Sequence, residues 1–287
     1  MSIQDMKIGK GIVMPNLEID GARICYEVKG AGDDTIVFVH GHPFNRSMWA
    51  QQADFFVQKG WRCVLFDLRG YGESGSAGEP YSDFQRFSKD IEVLLDHLGI
   101  SKTVLCGLSM GGQIVMDCCE RFPERVSGVV LAATAPQVET TESHRDRLAM
   151  ADRLEREGMG PYAEEALPKM LASQGITDMP DVATYVLKMM QQSDPAGAAA
   201  AQRARAARPS YEPTLSKLKC PALIVVGDSD AFTSRSDAEL MNNLITGSSL
   251  LWLSDVGHMP NLERTAEFNE AMSKLLDLVS ARTGEEV

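Results

Sequence analysis

The sequence predicts an α/β chain: a doubly wound, mostly parallel sheet that carries one helical insertion. Two observations carry this expectation. Apolar, β-branched runs recur along the chain with helical spacing between them, the order expected of strands buried on both faces and joined by crossover helices. Between about Gln137 and Pro213 that alternation stops, and the periodicity is helical with no convincing strand.

Taken in order, LEIDGARICYEV (17–28) reads as a hairpin turning at Asp20 and Gly21, because an Asp-Gly pair tolerates the positive φ of a tight hairpin turn. An antiparallel edge therefore opens the sheet. TIVFVH (35–40), RCVLFD (62–67), TVLCGL (103–108), GVVLAAT (128–134), ALIVVG (222–227) and SLLWL (249–253) read as the remaining strands. Helices are expected over 46–59, 84–98, 110–121, 235–244 and 262–278, as right-handed crossovers. Within the insertion, Pro161, Pro168, Pro180, Pro195 and Pro209 are expected to divide the chain into short helices, since proline ends a helix or begins the next. The division is then a core of residues 1–136 and 214–287, with a helical lid over 137–213.

Composition narrows the function classes. A formal net charge of −12 repels phosphate, so nucleic acid and anionic membrane surfaces are poor partners. No run reaches the roughly 18 apolar residues of a membrane span, and the opening MSIQDMKIGKGIVMP lacks the pattern of a secretory signal. Cys25, Cys63, Cys106, Cys118, Cys119 and Cys220 show no metal-ligand spacing and read as free thiols of a reducing cytoplasm. No cofactor-binding motif occurs, and the expected partner is a small molecule, with a homo-oligomer left open.

One motif carries chemistry. Strand TVLCGL runs directly into Ser109 and then into MGGQIVMDCCERF, placing Gly107-Leu108-Ser109-Met110-Gly111 at a strand-to-helix junction. On so tight a turn, side chains at 107 and 111 would collide with backbone, while the serine is held exposed beside a helix N-terminus. That geometry suits a nucleophile whose developing oxyanion is met by backbone amides.

HGHP (40–43), DLRGYGES (67–74), GLSMGG (107–112), GDSD (227–230) and GHMPNLE (257–263) occur in the order found in α/β-hydrolases, and the chain resembles that family over nearly its whole length. Within it, the core is most similar to bacterial esterases and oxoadipate enol-lactonases. The resemblance implies a serine hydrolase acting on a carboxylic ester or lactone, with no metal or organic cofactor. Thioester hydrolysis, carbon–carbon cleavage and acyl transfer use the same parts, and a ligand receptor on a hydrolase scaffold is the alternative of another class.

Among His40, His42, His97, His144 and His258, the last lies in a Gly-His loop beyond the final strand and matches the family's catalytic base. His40 reads as structural, His97 as an outward helix residue and His144 as part of the lid. The second aspartate of GDSD, Asp230, matches the family's acid; Asp228 reads as a turn cap, and Asp255 is a second candidate for the acid. The sequence after Asp230, AFTSR, departs from the family by lacking a nearby proline. The oxyanion hole is expected from the amides of Met110 and His42, with Phe44 in reserve because Pro43 has no N–H. The His42 imidazole either enters the cleft or faces solvent.

Other features read structurally. Asp67, Arg69, Gly70 and Gly72 fix a turn by charge pairing and positive φ. Methionines 150, 159, 170, 179, 189 and 190 line an acyl pocket or simply pack the lid. Arg203, Arg205 and Arg208 are expected on a solvated helical face, with substrate carboxylate binding as the alternative.

Overall fold

The hairpin forms where the Asp-Gly pair predicts it: β1 (Asn16–Ile19) and β2 (Ala22–Lys29) pair antiparallel, with Asp20 and Gly21 at φ of 48° and 75°. This is a computed structural model, and it describes residues 15–75 and 83–285, the last three without their side chains. The reading of residues 1–14 as free of a secretory signal lies outside the described residues.

The remaining strands are β3 (Thr35–Val39), β4 (Arg62–Phe66), β5 (Thr103–Leu108), β6 (Val126–Ala132), β7 (Ala222–Gly227) and β8 (Ser249–Leu253). They form one sheet in the order β1-β2-β4-β3-β5-β6-β7-β8, parallel from β4 onward. From β3 the chain first adds β4 on one side and then returns to add β5 on the other. The crevice beyond the carboxyl ends of β3 and β5 is therefore a topological switch point, where open α/β sheets take their ligands.

Strand alternation builds two cores. Val37, Val39, Leu105 and Ile224 face a layer with α2 (Gln85–His97), α3 (Met110–Arg121) and α10 (Arg235–Leu244). Ile36, Phe38, Val104 and Cys106 face the other layer, with α1 (Ala50–Gln58) and α12 (Thr265–Glu285). Two helix expectations are corrected at their ends. The 46–59 stretch begins as a 3₁₀ turn, Arg46–Trp49, with the Asn45 side chain accepting from Ser47 N. The 262–278 helix is broken at Arg264 (φ −138°, ψ 58°) between α11 (Pro260–Glu263) and α12. Here the Asn261 carbonyl accepts from Gln52 Nε2 at 2.9 Å and Thr265 Oγ1 at 2.8 Å, side chains taking the place of a helical amide.

Between β6 and β7 lie α4 (Thr141–Glu157), α5 (Met159–Met170), α6 (Ser173–Asp178), α7 (Pro180–Gln191), α8 (Pro195–Ala206) and α9 (Glu212–Leu215). Pro180 and Pro195 open their helices, and Asp194 caps α8 through Ala196 N. Pro168 does not end its helix but sits within the last turn of α5, so the expected break falls two residues later. Packing joins α4 to α8. The start of α8 rests directly on the loop after β4, where a Cβ on Gly197 would lie 1.9 Å from the Gly70 carbonyl oxygen. Among the described residues no helix is long and apolar enough to cross a membrane.

Candidate active site

Ser109 joins β5 to α3 with φ 56° and ψ −117°, a conformation that costs a non-glycine residue about 1–3 kcal/mol. The surroundings hold it there. Its N–H donates to Ala132 O at 2.8 Å, and its carbonyl accepts from Thr134 Oγ1 at 2.8 Å and Gln113 N at 3.1 Å. The glycines do what the motif requires: a Cβ on Gly107 would lie 2.3 Å from Gly111 O, and one on Gly111 would lie 2.2 Å from Val39 O.

His258 follows β8 and returns to the same end of the sheet. Its Nδ1 lies 2.9 Å from each carboxylate oxygen of Asp230, which places the imidazole proton on Nδ1 and leaves Nε2 as an acceptor. Asp230 also accepts from Phe232 N at 2.8 Å and Thr233 N at 3.2 Å. Burial alone would raise its carboxyl pKa, but the charge and hydrogen bond of His258, with the two amides, hold it below the usual range. Asp228 instead ties a turn, accepting from Asp255 N at 2.8 Å, and Asp255 is exposed at φ 56°. Of the three aspartates only Asp230 touches His258.

Ser109 and His258 line one cavity of about 540 Å³ and make no hydrogen bond to each other in this structure. Contacts of this kind commonly close only around substrate. Phe44 is withdrawn as an oxyanion donor, because its N–H is engaged by Gly41 O at 3.0 Å. The amides of His42 and of Met110, the first residue of α3, have no acceptor among the described residues.

The His42 imidazole is buried and faces the cavity, which settles its two readings in favour of the cleft. Gln202 Nε2, able only to donate, lies 2.9 Å from His42 Nε2, so Nδ1 carries the proton and donates to Tyr71 Oη at 2.7 Å. Burial, reinforced by the nearby Arg205 and Arg147 cations, drives the His42 pKa well below its ordinary value and keeps the ring neutral. His40 accepts from Leu68 N at 2.9 Å and donates to Gly41 O at 2.9 Å, and burial lowers it to about 4, as a structural histidine. His97 and His144 are exposed. Asp67 accepts from the Arg46 guanidinium and from Glu73 N at 2.9 Å, Arg69 pairs with Asp90 at 2.5 Å, and Gly70 and Gly72 have φ of 78° and 54°, as the turn requires.

The arginine expectation is corrected in part. Arg203 is on the outer face of α8, paired with Asp152 at 2.9 Å and Glu155 at 2.6 Å. Two residues along a helix is about 200° of rotation, so Arg205 turns inward and lines the cavity, as does Arg208 beyond the helix end. Arg147 and Arg208 share Glu139, at 2.8 Å and 3.4 Å. Arg205 has no carboxylate partner among the described residues; its Nε donates to Gln113 Oε1 at 3.3 Å. Burial and the cations of Arg147 and Arg208 push the Arg205 guanidinium down to about 9.

The methionines divide as well. Met170 lines the cavity and Met150 an adjoining one, whereas Met159, Met189 and Met190 are buried in packing. Sequence reasoning missed Gln113, Thr134, Arg147, Tyr162 and Gln202, all of which line the cavity. For Gln202 and Arg205 the available signal was their i,i+3 spacing on α8, which puts a polar pair on one face of a helix otherwise rich in buried alanine.

With this geometry the chain matches the family model of the alpha/beta hydrolase fold over residues 34–265. The chain belongs to the α/β-hydrolase fold family. It is 29% identical over 252 residues to 3-oxoadipate enol-lactonase 2 of Acinetobacter baylyi, covering 88% of this chain and 92% of that one. It is 26% identical over 266 residues to the 2-hydroxy-6-oxononadienedioate/2-hydroxy-6-oxononatrienedioate hydrolase of Escherichia coli K12, covering 88% and 91%. A solved esterase structure from Thermogutta terrifontis, with malate bound, matches at TM-score 0.88 and 30% identity, covering 92% of this chain and 99% of that one. This α/β-hydrolase thus has relatives among hydrolases of differing substrates.

Proposed function

We propose that this α/β-hydrolase cleaves a carboxylic ester or lactone through an acyl-enzyme on Ser109, and that its substrate carries a further carboxylate. The observation that carries the reading is Arg205, a cation that has no carboxylate partner among the described residues and lines the cavity that also holds Ser109 and His258. A guanidinium keeps its proton across the physiological range. An anionic substrate group relieves the cost of leaving that charge poorly solvated, and planar bidentate pairing suits a carboxylate. The balance of the cavity agrees: Arg147, Arg205 and Arg208 face Glu139, while Asp237 is engaged by Ser234 and Gln137. Two of the relatives named above are named for acidic compounds, and the Thermogutta structure holds malate.

The steps follow from the groups present. His258 Nε2 takes the Ser109 proton as Oγ attacks the carbonyl carbon, and Asp230 stabilises the imidazolium. The His42 and Met110 amides receive the oxyanion. As the tetrahedral intermediate collapses, His258 returns the proton to the departing oxygen. Water, deprotonated by the same histidine, then releases the acid and restores Ser109. The test is a panel of neutral esters, half-esters of dicarboxylic acids, and lactones with and without a carboxylate. The expected result is higher kcat/KM for the acidic members, weakened by salt. Equal kcat/KM for acidic and neutral members refutes the acidic-substrate reading; binding of acids without turnover of any ester favours a receptor.

A further inference from the structure

Glu263 lies outside the set Ser109, His258 and Asp230, yet the backbone around His258 is built on it. Its Oε1 accepts from Gly257 N at 3.0 Å and Met259 N at 3.3 Å, the two amides that flank His258. Its Oε2 accepts from Ala172 N at 2.9 Å, at the junction of α5 and α6. The His258 amide itself donates to Met170 O at 3.0 Å, in the same junction. The loop that presents the imidazole is thus hydrogen-bonded, amide by amide, to Glu263 or to the helical segment between β6 and β7.

Both sides of this seam are shaped for close approach. A Cβ on Gly257 would lie 2.5 Å from Ala172 N and 2.7 Å from Leu171 C, and one on Gly175 would lie 2.8 Å from Glu263 Oε2. Glu263 is 4% exposed and has no cation paired with its carboxylate among the described residues, so backbone amides meet its charge. Burial raises its pKa against the pull of those amides. Met170, which gives its carbonyl to the His258 amide, also lines the cavity.

We propose that Glu263 is a positioning residue: it keys the backbone of residues 257–259 to the α5–α6 junction, so that the helical segment helps set the His258 imidazole against Ser109. The proposal rests on the reading of His258 as the base. A carboxylate is required because two acceptor oxygens serve three amides. Glutamine would keep the shape but present an NH₂ group to at least one N–H.

The test compares Glu263→Gln with wild type in kcat per active site, sites being counted by end-point phosphonylation of Ser109, together with KM for a small neutral ester and Tm. A second variant, Ala172→Pro, works from the helical side. Ala172 has φ −60° and Leu171 is extended (φ −122°, ψ 148°), so the backbone admits proline, whose ring replaces the donated hydrogen and separates the segment from the carboxylate. The expected result in both is a fall in kcat of about tenfold or more with KM changed less than about twofold. If the folded variants keep wild-type kcat per titrated site, with only Tm reduced, Glu263 is structural and the proposal is overturned. Should Glu263→Gln fail to fold, Ala172→Pro decides. His258→Ala separates the two levels: if it retains turnover, the base assignment fails, whereas a dead His258→Ala beside an unaffected Glu263→Gln overturns this proposal alone.

Discussion

The Ser109 elbow and the polar lining of the cavity it shares are built on different principles. At the elbow a few consecutive residues set the backbone: Gly107 and Gly111 admit backbone at distances that no Cβ allows, Ser109 takes a positive φ, and Met110 opens a helix. The lining gathers Arg147 from α4, Tyr162 from α5, and Gln202 and Arg205 from α8, residues whose neighbours in sequence do not line the cavity. The backbone of the elbow is encoded locally, whereas the polar residues of the cavity lining are gathered through tertiary packing. Substitutions in the first region should therefore abolish turnover for every substrate, and substitutions in the second should reorder substrates.

The largest effect is expected at Ser109. Ser109→Ala should lower kcat by about 10⁴-fold or more while leaving Tm near wild type, because in the proposed mechanism Oγ is the atom that bonds to the acyl group. Kinetics on a purified variant decide; activity at a tenth of wild type would move the chemistry to another nucleophile. Next comes Asp230→Asn, where an amide facing His258 Nδ1 favours the wrong tautomer and kcat should drop by about 10²- to 10⁴-fold with KM little changed. Asp255→Asn, at an exposed turn, should be mild. The reverse ranking would show that the acid is misassigned.

These two effects concern residues visible in the sequence, and the reason is physical. A motif such as GLSMG names its own backbone geometry, and the strands around it declare themselves by continuous apolar runs, so ALIVVG and SLLWL emerge as β7 and β8 with the bounds expected. Asp230 and His258 lie immediately past strands whose ends the fold brings together. Arg205 carried only the weaker mark of its i,i+3 spacing with Gln202. In sequence it is one of three nearby arginines, and only the rotation of α8, set by the alanines packed beneath it and by Gly197 against Gly70, decides that Arg203 points out and Arg205 in. Glu263 closes the GHMPNLE motif, yet its proposed positioning role depends on Ala172, 91 residues away.

The third prediction tests that rotation. Arg205→Gln should raise KM for an acidic ester or lactone by about 10- to 100-fold, the worth of a charge-assisted pair, and leave kcat/KM for a neutral ester within a few fold. Arg203→Gln should change neither, since its partners Asp152 and Glu155 are outside the cavity. Steady-state kinetics on a matched acidic and neutral pair measure both. Equal sensitivity at 203 and 205 would mean that a general surface field, rather than a placed cation, selects the substrate.

The smallest substrate effect should come from the methionines, and it sharpens the division inside the second region. Met170 lines the cavity, so Met170→Ala removes apolar surface that an acyl chain of the proposed substrate would touch, worth about 0.8 kcal/mol per buried methylene, or about fourfold in kcat/KM for each methylene it covers. A series of esters that differ by one methylene should show a reduced slope in this variant. Because Met170 binds the His258 amide through its backbone carbonyl, truncating the side chain leaves that contact in place and the shortest ester should be turned over almost normally. Met189 and Met190 are buried among other side chains, so alanine there should cost about 2–5 kcal/mol of stability by cavity formation and leave the chain-length slope unchanged. Slopes measured beside urea unfolding curves distinguish the two kinds of methionine. A flattened slope in Met190→Ala with undiminished stability would place the acyl pocket on the far side of α7.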